Sequence, residues 1–221
     1  MSVVTISREY GSAGNEVARK LAALLGYHLV DKSVIGNILA GYGLIDFDKM
    51  YEIKPPSIWS PFYDKEQVMI SMLKRLAFAA VRHGHSVIVG RGAYLALSGV
   101  HNVLNVRLRA PFDWRVDRTM HEEGMKDRPQ AEAAVREGDK VSSSFISSVY
   151  GARWDSMEHF DLVIDTSRIG PDKAASLLAE FVRDVPVVSS GQVLAEPDDP
   201  IMDEAVATEL GCTKGETHPE K

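Results

Sequence analysis

Short β-branched runs that alternate with helix-period segments, a glycine-rich turn between the first run and the first helix, and the lack of any membrane-length apolar stretch predict an α/β chain. Its expected architecture is a parallel sheet with helices on both faces. Val3-Val4-Thr5-Ile6 is too short for a helix and reads as a buried strand. Gly11-Ser12-Ala13-Gly14 breaks the chain, and from Glu16 the spacing of Val17, Leu21, Leu24 and Leu25 predicts a helix that stops at Gly26. Tyr27-His28-Leu29-Val30 predicts a second strand ending at Asp31, and Ser33 to Leu39 begins a helix. Residues 41–64, with Gly41, Gly43, Pro55, Pro56, Pro61, Trp59, Phe62 and Tyr63, read equally as a surface insert over a ligand or partner and as a structural loop.

Val68, Met69, Met72, Leu73, Leu76 and Ala80 mark the core face of a long helix ending near His83-Gly84. Ser86-Val87-Ile88-Val89-Gly90 predicts a central strand buried on both faces, and Asn102 to Arg109 another, closed by Pro111. A helix follows over Phe112 to Glu122, then a polar stretch over residues 124–150 that is rich in Arg, Asp and Ser. Leu162-Val163-Ile164-Asp165 is the last predicted strand and Asp172 to Val182 the helix after it. In the tail, Asp199-Pro200 opens a short helix through Ile201, Met202, Ala205, Val206 and Leu210 that stops at Gly211. Ligands of such sheets bind at the carboxyl ends of the strands, so the loops there hold the candidate site.

A length of 221 residues suits one domain with inserts, and 45% hydrophobic with 25% charged residues describes a soluble chain. The start lacks a basic region, an apolar core and a cleavage site, so no secretory signal is expected and cytoplasm is the expected compartment. A single cysteine, Cys212, excludes internal disulfides, and the seven histidines show no zinc spacing. Residues 191–221 hold eight of the 31 acidic and two of the 25 basic groups, so the remainder is neutral and the net charge of −6 sits in the tail. Neither a nucleic-acid surface nor a membrane association is expected of this chain.

A strand that turns through glycines into a helix presents free backbone N–H groups and the positive end of the helix dipole to an anion. Gly11-Ser12-Ala13-Gly14 departs from G-x-x-x-x-G-K-[ST], and taken alone it reads equally as a phosphate site and as a structural turn. Ser12 lacks the spacing of a hydrolase nucleophile.

Thr5-Ile6-Ser7-Arg8-Glu9-Tyr10-Gly11-Ser12-Ala13-Gly14 resembles the opening of the cytidylate kinase-like family, whose members typically read ISREYGSGG. The resemblance continues in Val87-Ile88-Val89-Gly90-Arg91-Gly92-Ala93, in the stretch Ala110 to Arg118, and in Phe160-Asp161-Leu162-Val163-Ile164-Asp165-Thr166-Ser167. It implies a P-loop NTPase-type domain over residues 1–183, with a helical acceptor-binding insert near 33–85, a mobile lid near 124–155, and an acidic tail over 184–221.

By this resemblance Gly11, Ser12, Ala13, Gly14, Asn15 and Glu16 wrap the donor phosphates through backbone N–H groups. Gly14 stands where a kinase lysine is expected and Glu16 where a magnesium-binding hydroxyl is expected; Arg8 is the candidate replacement cation, its alternative a locally paired surface group. Arg91, at a strand's carboxyl end, is the candidate clamp for the acceptor phosphate. Arg115 and Arg118 share a helix face and correspond to cations that meet the transferring phosphoryl group. Asp139 and Lys140 open the lid segment, where Val141-Ser142-Ser143-Ser144 fill positions expected to hold arginine, leaving Lys140, Arg136 and Arg153 to compensate. Asp31 either binds magnesium-bound water or a ribose hydroxyl, or caps the next helix. The magnesium ligands are not assigned.

The implied function is magnesium-dependent transfer of the ATP γ-phosphoryl group to CMP, dCMP or a related phosphate acceptor. The partner is then a nucleotide or small phosphate ligand, and the protein a monomer or homodimer. The Gly14, Glu16 and lid substitutions favour the alternative, a different class: a nucleotide- or phosphate-binding sensor or partner module without turnover.

Overall fold

The computed structural model describes residues 3–41, 63–90, 92–184 and 199–212. Its framework is a five-stranded sheet of order β2-β3-β1-β4-β5. The strands are β1 (Val3–Arg8), β2 (His28–Val30), β3 (Ser86–Val89), β4 (Val103–Arg109) and β5 (Leu162–Asp165). Every pairing is parallel, with Val3 opposite both Ser86 and Val103 across β1. The connection leaving β1 runs to one side of the sheet and the one leaving β3 crosses to the other, which opens a crevice at the carboxyl ends.

The side-chain period of two along β1 divides the core. Val4 and Ile6 join Val87, Val89, Leu104, Val106 and Leu108 under α1 (Gly14–Leu25) and, later in the chain, α8 (Pro171–Asp184). Val3 and Ile88 face the other way, beneath α2 (Lys32–Gly41), α3 (Tyr63–His83) and α4 (Ala93–Ala96). β3 is thus apolar on both faces and reads in sequence as an unbroken apolar run, whereas β1 and β4 turn Thr5, Ser7, Asn105 and Arg107 to the face opposite α1. The predicted elements stand close to their expected bounds, α5 occupying Phe112–Glu123. The irregular insert predicted over 41–64 lies for the most part outside the described residues.

Residues 124–150 differ from expectation. They hold one long helix, α6 (Arg128–Tyr150), started by Pro129 in the first turn and ended by Gly151. Its polar composition reflects a largely exposed surface, while Ala131 and Val135 pack on Val116 of α5 and Phe145 and Ile146 pack against Tyr94. Four-residue spacing of those few buried positions was masked by the serines between them. A further short turn, α7 (Thr166–Ile169), is capped by Asp165, whose carboxylate accepts from the Ser167 N–H.

The tail helix, α9 (Pro200–Leu210), is capped by Asp199 and packs on its own chain through Met202 and Val206. Met202 and Val206 are fully buried among Ile35, Leu39, Leu76 and Ala80, and ion pairs of Arg75 with Asp199 and Arg82 with Asp203 flank the seam. Met202→Ala removes a fully enclosed side chain and is expected to cost about 2–4 kcal/mol, read as a lower urea midpoint with unchanged slope.

Candidate active site

β1 ends in Arg8, and residues 9–13 return the chain into α1. Gly11 (φ 75°) and Ala13 (φ 60°) both take left-handed backbone. A Cβ at Gly11 would lie 2.8 Å from the Arg115 carbonyl oxygen and from Thr119 Oγ1, so position 11 needs glycine for conformation and for space. Ala13 precedes α1 without a side-chain cap, and the first-turn amides remain directed at the loop. Ser12 holds the turn itself, its hydroxyl donating to the Glu9 carbonyl (2.8 Å). Thr166 ties the loop to the end of β5, with its hydroxyl 2.8 Å from the Ser12 carbonyl and 3.1 Å from that of Arg109.

Arg8 crosses the start of α1. Its Nε donates to Asn15 Oδ1 (3.1 Å), and its stem occupies the space beside Gly14, where an added Cβ would come within 2.5 Å of Arg8 Cβ. A side chain at position 14 and the present path of Arg8 therefore exclude one another. Glu16, in the same first turn, is paired with Lys20 (2.7 Å) and with Arg118. The Lys20 contact, helped by Arg118, holds the Glu16 carboxyl below its ordinary value. Lys20 also pairs with Asp172 and Arg118 with Glu122, so opposite charges link α5, α1 and α8.

Arg115 is 7% exposed and joins the loop to two helices. Its Nη1 donates to Asp139 Oδ2 (2.7 Å) and to the Tyr10 carbonyl (3.0 Å), its Nε donates to the Ala110 carbonyl (3.0 Å), and Glu9 lies 3.5 Å away. The other oxygen of Asp139 accepts from the Tyr10 N–H (3.0 Å), and Glu9 accepts from the Ala110 N–H (3.0 Å). The Tyr10 ring lies on Gly138, where a Cβ would sit 2.3 Å from the ring, and its hydroxyl donates to Glu123 (2.7 Å). Partial burial, then the Glu123 carboxylate, push the Tyr10 hydroxyl up to about 12.

The sequence-predicted residues fall into separate places. Arg8, Gly11 to Glu16, Arg115, Arg118 and Asp139 surround one loop, with Arg115, Arg118 and Asp139 engaged by protein groups. Lys140 turns to solvent 3.9 Å from Glu137, Arg136 stacks 4.3 Å from the Phe112 ring centroid, and Arg153 pairs with Asp155. Asp31 caps α2, accepting from the Ser33 and Val34 N–H groups. Arg91 lies outside the described residues. The sequence reading passed over Glu9, Tyr10 and Thr166, whose roles depend on partners about 100 or more positions away, and over Arg107, whose signal was a charge inside an apolar parallel strand.

The family model of the cytidylate kinase-like family matches residues 3–168. The chain belongs to this cytidylate kinase-like family. Cytidylate kinases of Ignicoccus hospitalis and Methanopyrus kandleri are 29% and 28% identical to it, over 82% and 80% of this chain and 99% and 90% of theirs. A crystal structure of an uncharacterized protein from Eubacterium ventriosum shares the fold at a TM-score of 0.62 and 22% identity, covering 83% of this chain and 99% of that one. The parallel sheet and the glycine turn from β1 into α1 are the P-loop kinase architecture of the cytidylate kinase-like family. The chain is accordingly nucleoside monophosphate kinase-like, a family of nucleotide-binding phosphotransferases that use ATP and magnesium. Among the described residues no helix is long and apolar enough to cross a membrane, and no group of three or more His, Cys, Asp or Glu forms a metal site.

Two outcomes follow from this geometry. Asp139→Ala leaves a nearly buried guanidinium without its carboxylate and is expected to cost about 3 kcal/mol, read by urea unfolding. The raised Tyr10 pKa means that its contribution to stability is complete below the ordinary tyrosine value and is lost as pH rises through about 12. An ultraviolet titration of wild type minus Tyr10→Phe is expected to show one phenolate appearing near 12.

Proposed function

We propose that the chain transfers the γ-phosphoryl group of ATP to a nucleoside monophosphate, CMP or dCMP by likeness to its cytidylate kinase relatives. The observation that carries this reading is the uncapped start of α1 behind a left-handed Gly11 and Ala13, crossed by the Arg8 side chain. Backbone N–H groups of Gly14, Asn15 and Glu16 suit phosphate oxygens, and the guanidinium of Arg8 brings the charge that position 14 lacks. Arg8 reaches the turn from the preceding strand, whereas a lysine in the loop would reach it from the helix.

In-line phosphoryl transfer depends on positioning and on neutralising charge, with little covalent work for the protein. Asn15 orients Arg8, Ser12 and Thr166 fix the turn, and Arg115 sets the distance between turn and α6. Magnesium bound with ATP would supply charge neutralisation, and Glu16 is the carboxylate of the first α1 turn that would help to hold it. Arg91, carried over from the family pattern, is proposed as one cation, not the sole one, for the acceptor phosphate.

A second reading, nucleotide binding without turnover, is favoured by Glu16 and Arg118 being paired with each other where phosphate and metal contacts are needed. The deciding assay follows ADP formation from ATP and magnesium with a panel of nucleoside monophosphates. CMP-dependent turnover lost by about 100-fold or more in Arg91→Ala, and reduced by about 10-fold or more in Arg8→Ala, is the expected result. Saturable nucleotide binding without ADP for any acceptor would instead establish the binding module.

A further inference from the structure

Arg107 is a charge in the wrong place for a structural residue. It lies inside β4, beside Ser7 of the central strand, and is 1% exposed. Its Nη1 donates to Ser7 Oγ (2.7 Å), its guanidinium stacks 4.0 Å from the Trp154 ring centroid, and Phe160 lies at 5.9 Å. Its Nε has no hydrogen-bond partner among the described residues, and no carboxylate among them pairs with it. The carboxylates whose fields reach it are already engaged, Glu9 and Asp139 by Arg115, which repels it, and Asp155 by Arg153. Burial therefore lowers the pKa of Arg107.

A second orphan faces the same spot. Tyr94, on α4 directly after β3, is 2% exposed, and its hydroxyl has no partner among the described residues. Burial raises its pKa while the field of Arg107 acts the other way, so the two groups lie within electrostatic reach. A buried guanidinium without an anion and a buried hydroxyl without an acceptor each cost free energy that a bound ligand would restore. Tyr94 follows β3 and Arg107 lies in the carboxyl half of β4, the two strands that flank β1, and both are on the face of the sheet opposite α1. The cover is Trp154 and Phe160, in a segment between α6 and β5 that has neither helix nor strand.

We propose that Arg107, Tyr94 and Ser7 form an anion site that takes the phosphate monoester of the acceptor nucleotide when Trp154 moves off the guanidinium. Arg107 gives the charge and an N–H pair, Tyr94 gives the hydroxyl donor, and Ser7 fixes the fork. The acceptor assignment rests on the kinase reading; the anion site does not.

The test is calorimetric titration of inorganic phosphate, CMP, cytidine and a non-hydrolysable ATP analogue into the full chain and into Arg107→Met and Tyr94→Phe. Arg107→Met keeps the stem and removes the charge. It is expected to weaken CMP and phosphate by about 10- to 100-fold while cytidine and the ATP analogue bind as before. Tyr94→Phe is expected to weaken CMP by about 3- to 10-fold. Phosphate must compete with CMP; competition with the ATP analogue alone would put the anion on the glycine turn and overturn the proposal. Wild-type affinity for CMP in a folded Arg107→Met also overturns it, leaving Arg107 as a stacking partner of Trp154. If Arg107→Met fails to fold, Tyr94→Phe decides, and unchanged CMP affinity there counts against the site. Phosphate binding that depends on Arg107 in a protein without ADP formation separates a failed kinase reading from a failed anion site.

Discussion

The guanidinium of Arg115 is the point on which the phosphate turn depends. It meets carbonyls from two loops and a carboxylate from α6, so removing it would release the strand end, the turn and the long helix together. Burial gives the contacts their weight, because a pair shielded from water is screened little by salt, whereas the Lys20–Asp172 pair at the solvent end of the neighbouring charge chain is screened readily. The loop's shape then follows from what surrounds it. Gly11 is small because Arg115 and Thr119 press on it, and Gly138 is small because Tyr10 does.

The glycine turn has no lysine, and a cation reaches it from outside the loop. Arg8 reaches the same region from the strand, and its stem fills the volume that a side chain at position 14 would need. The two arrangements are alternatives in space, so the absence of lysine at Gly14 and the presence of arginine at Arg8 form one structural fact. In the same turn Glu16 adds a negative charge that Lys20 and Arg118 hold ionised.

Strand positions and most helices were legible because local signals decide them: apolar runs, the Gly26 and Gly211 stops, and the Asp199-Pro200 start. α6 was not legible, since its few buried residues are spread through a serine-rich surface and its stability comes from α5 and Tyr94. At the site, glycines and arginines could be found from pattern, but their partners could not. The Tyr10 N–H and Arg115 on the two oxygens of Asp139 leave no trace in the sequence, and of the two readings open for Asp31 the cap is the one whose partners are seen.

The order of strands bears on how the chain acquires its structure. β1 is first in sequence but central in the sheet, and its partners begin only at Ser86 and Val103. During synthesis the most apolar, β-branched run therefore emerges with no strand to pair with, and it waits through the whole of α1, α2 and α3. Loop closure over such separations is slow, and an unpaired apolar strand is open to association with other chains meanwhile. The last described helix then seals one face of the core with Met202 and Val206, so burial of that face waits on a helix that follows every strand of the sheet.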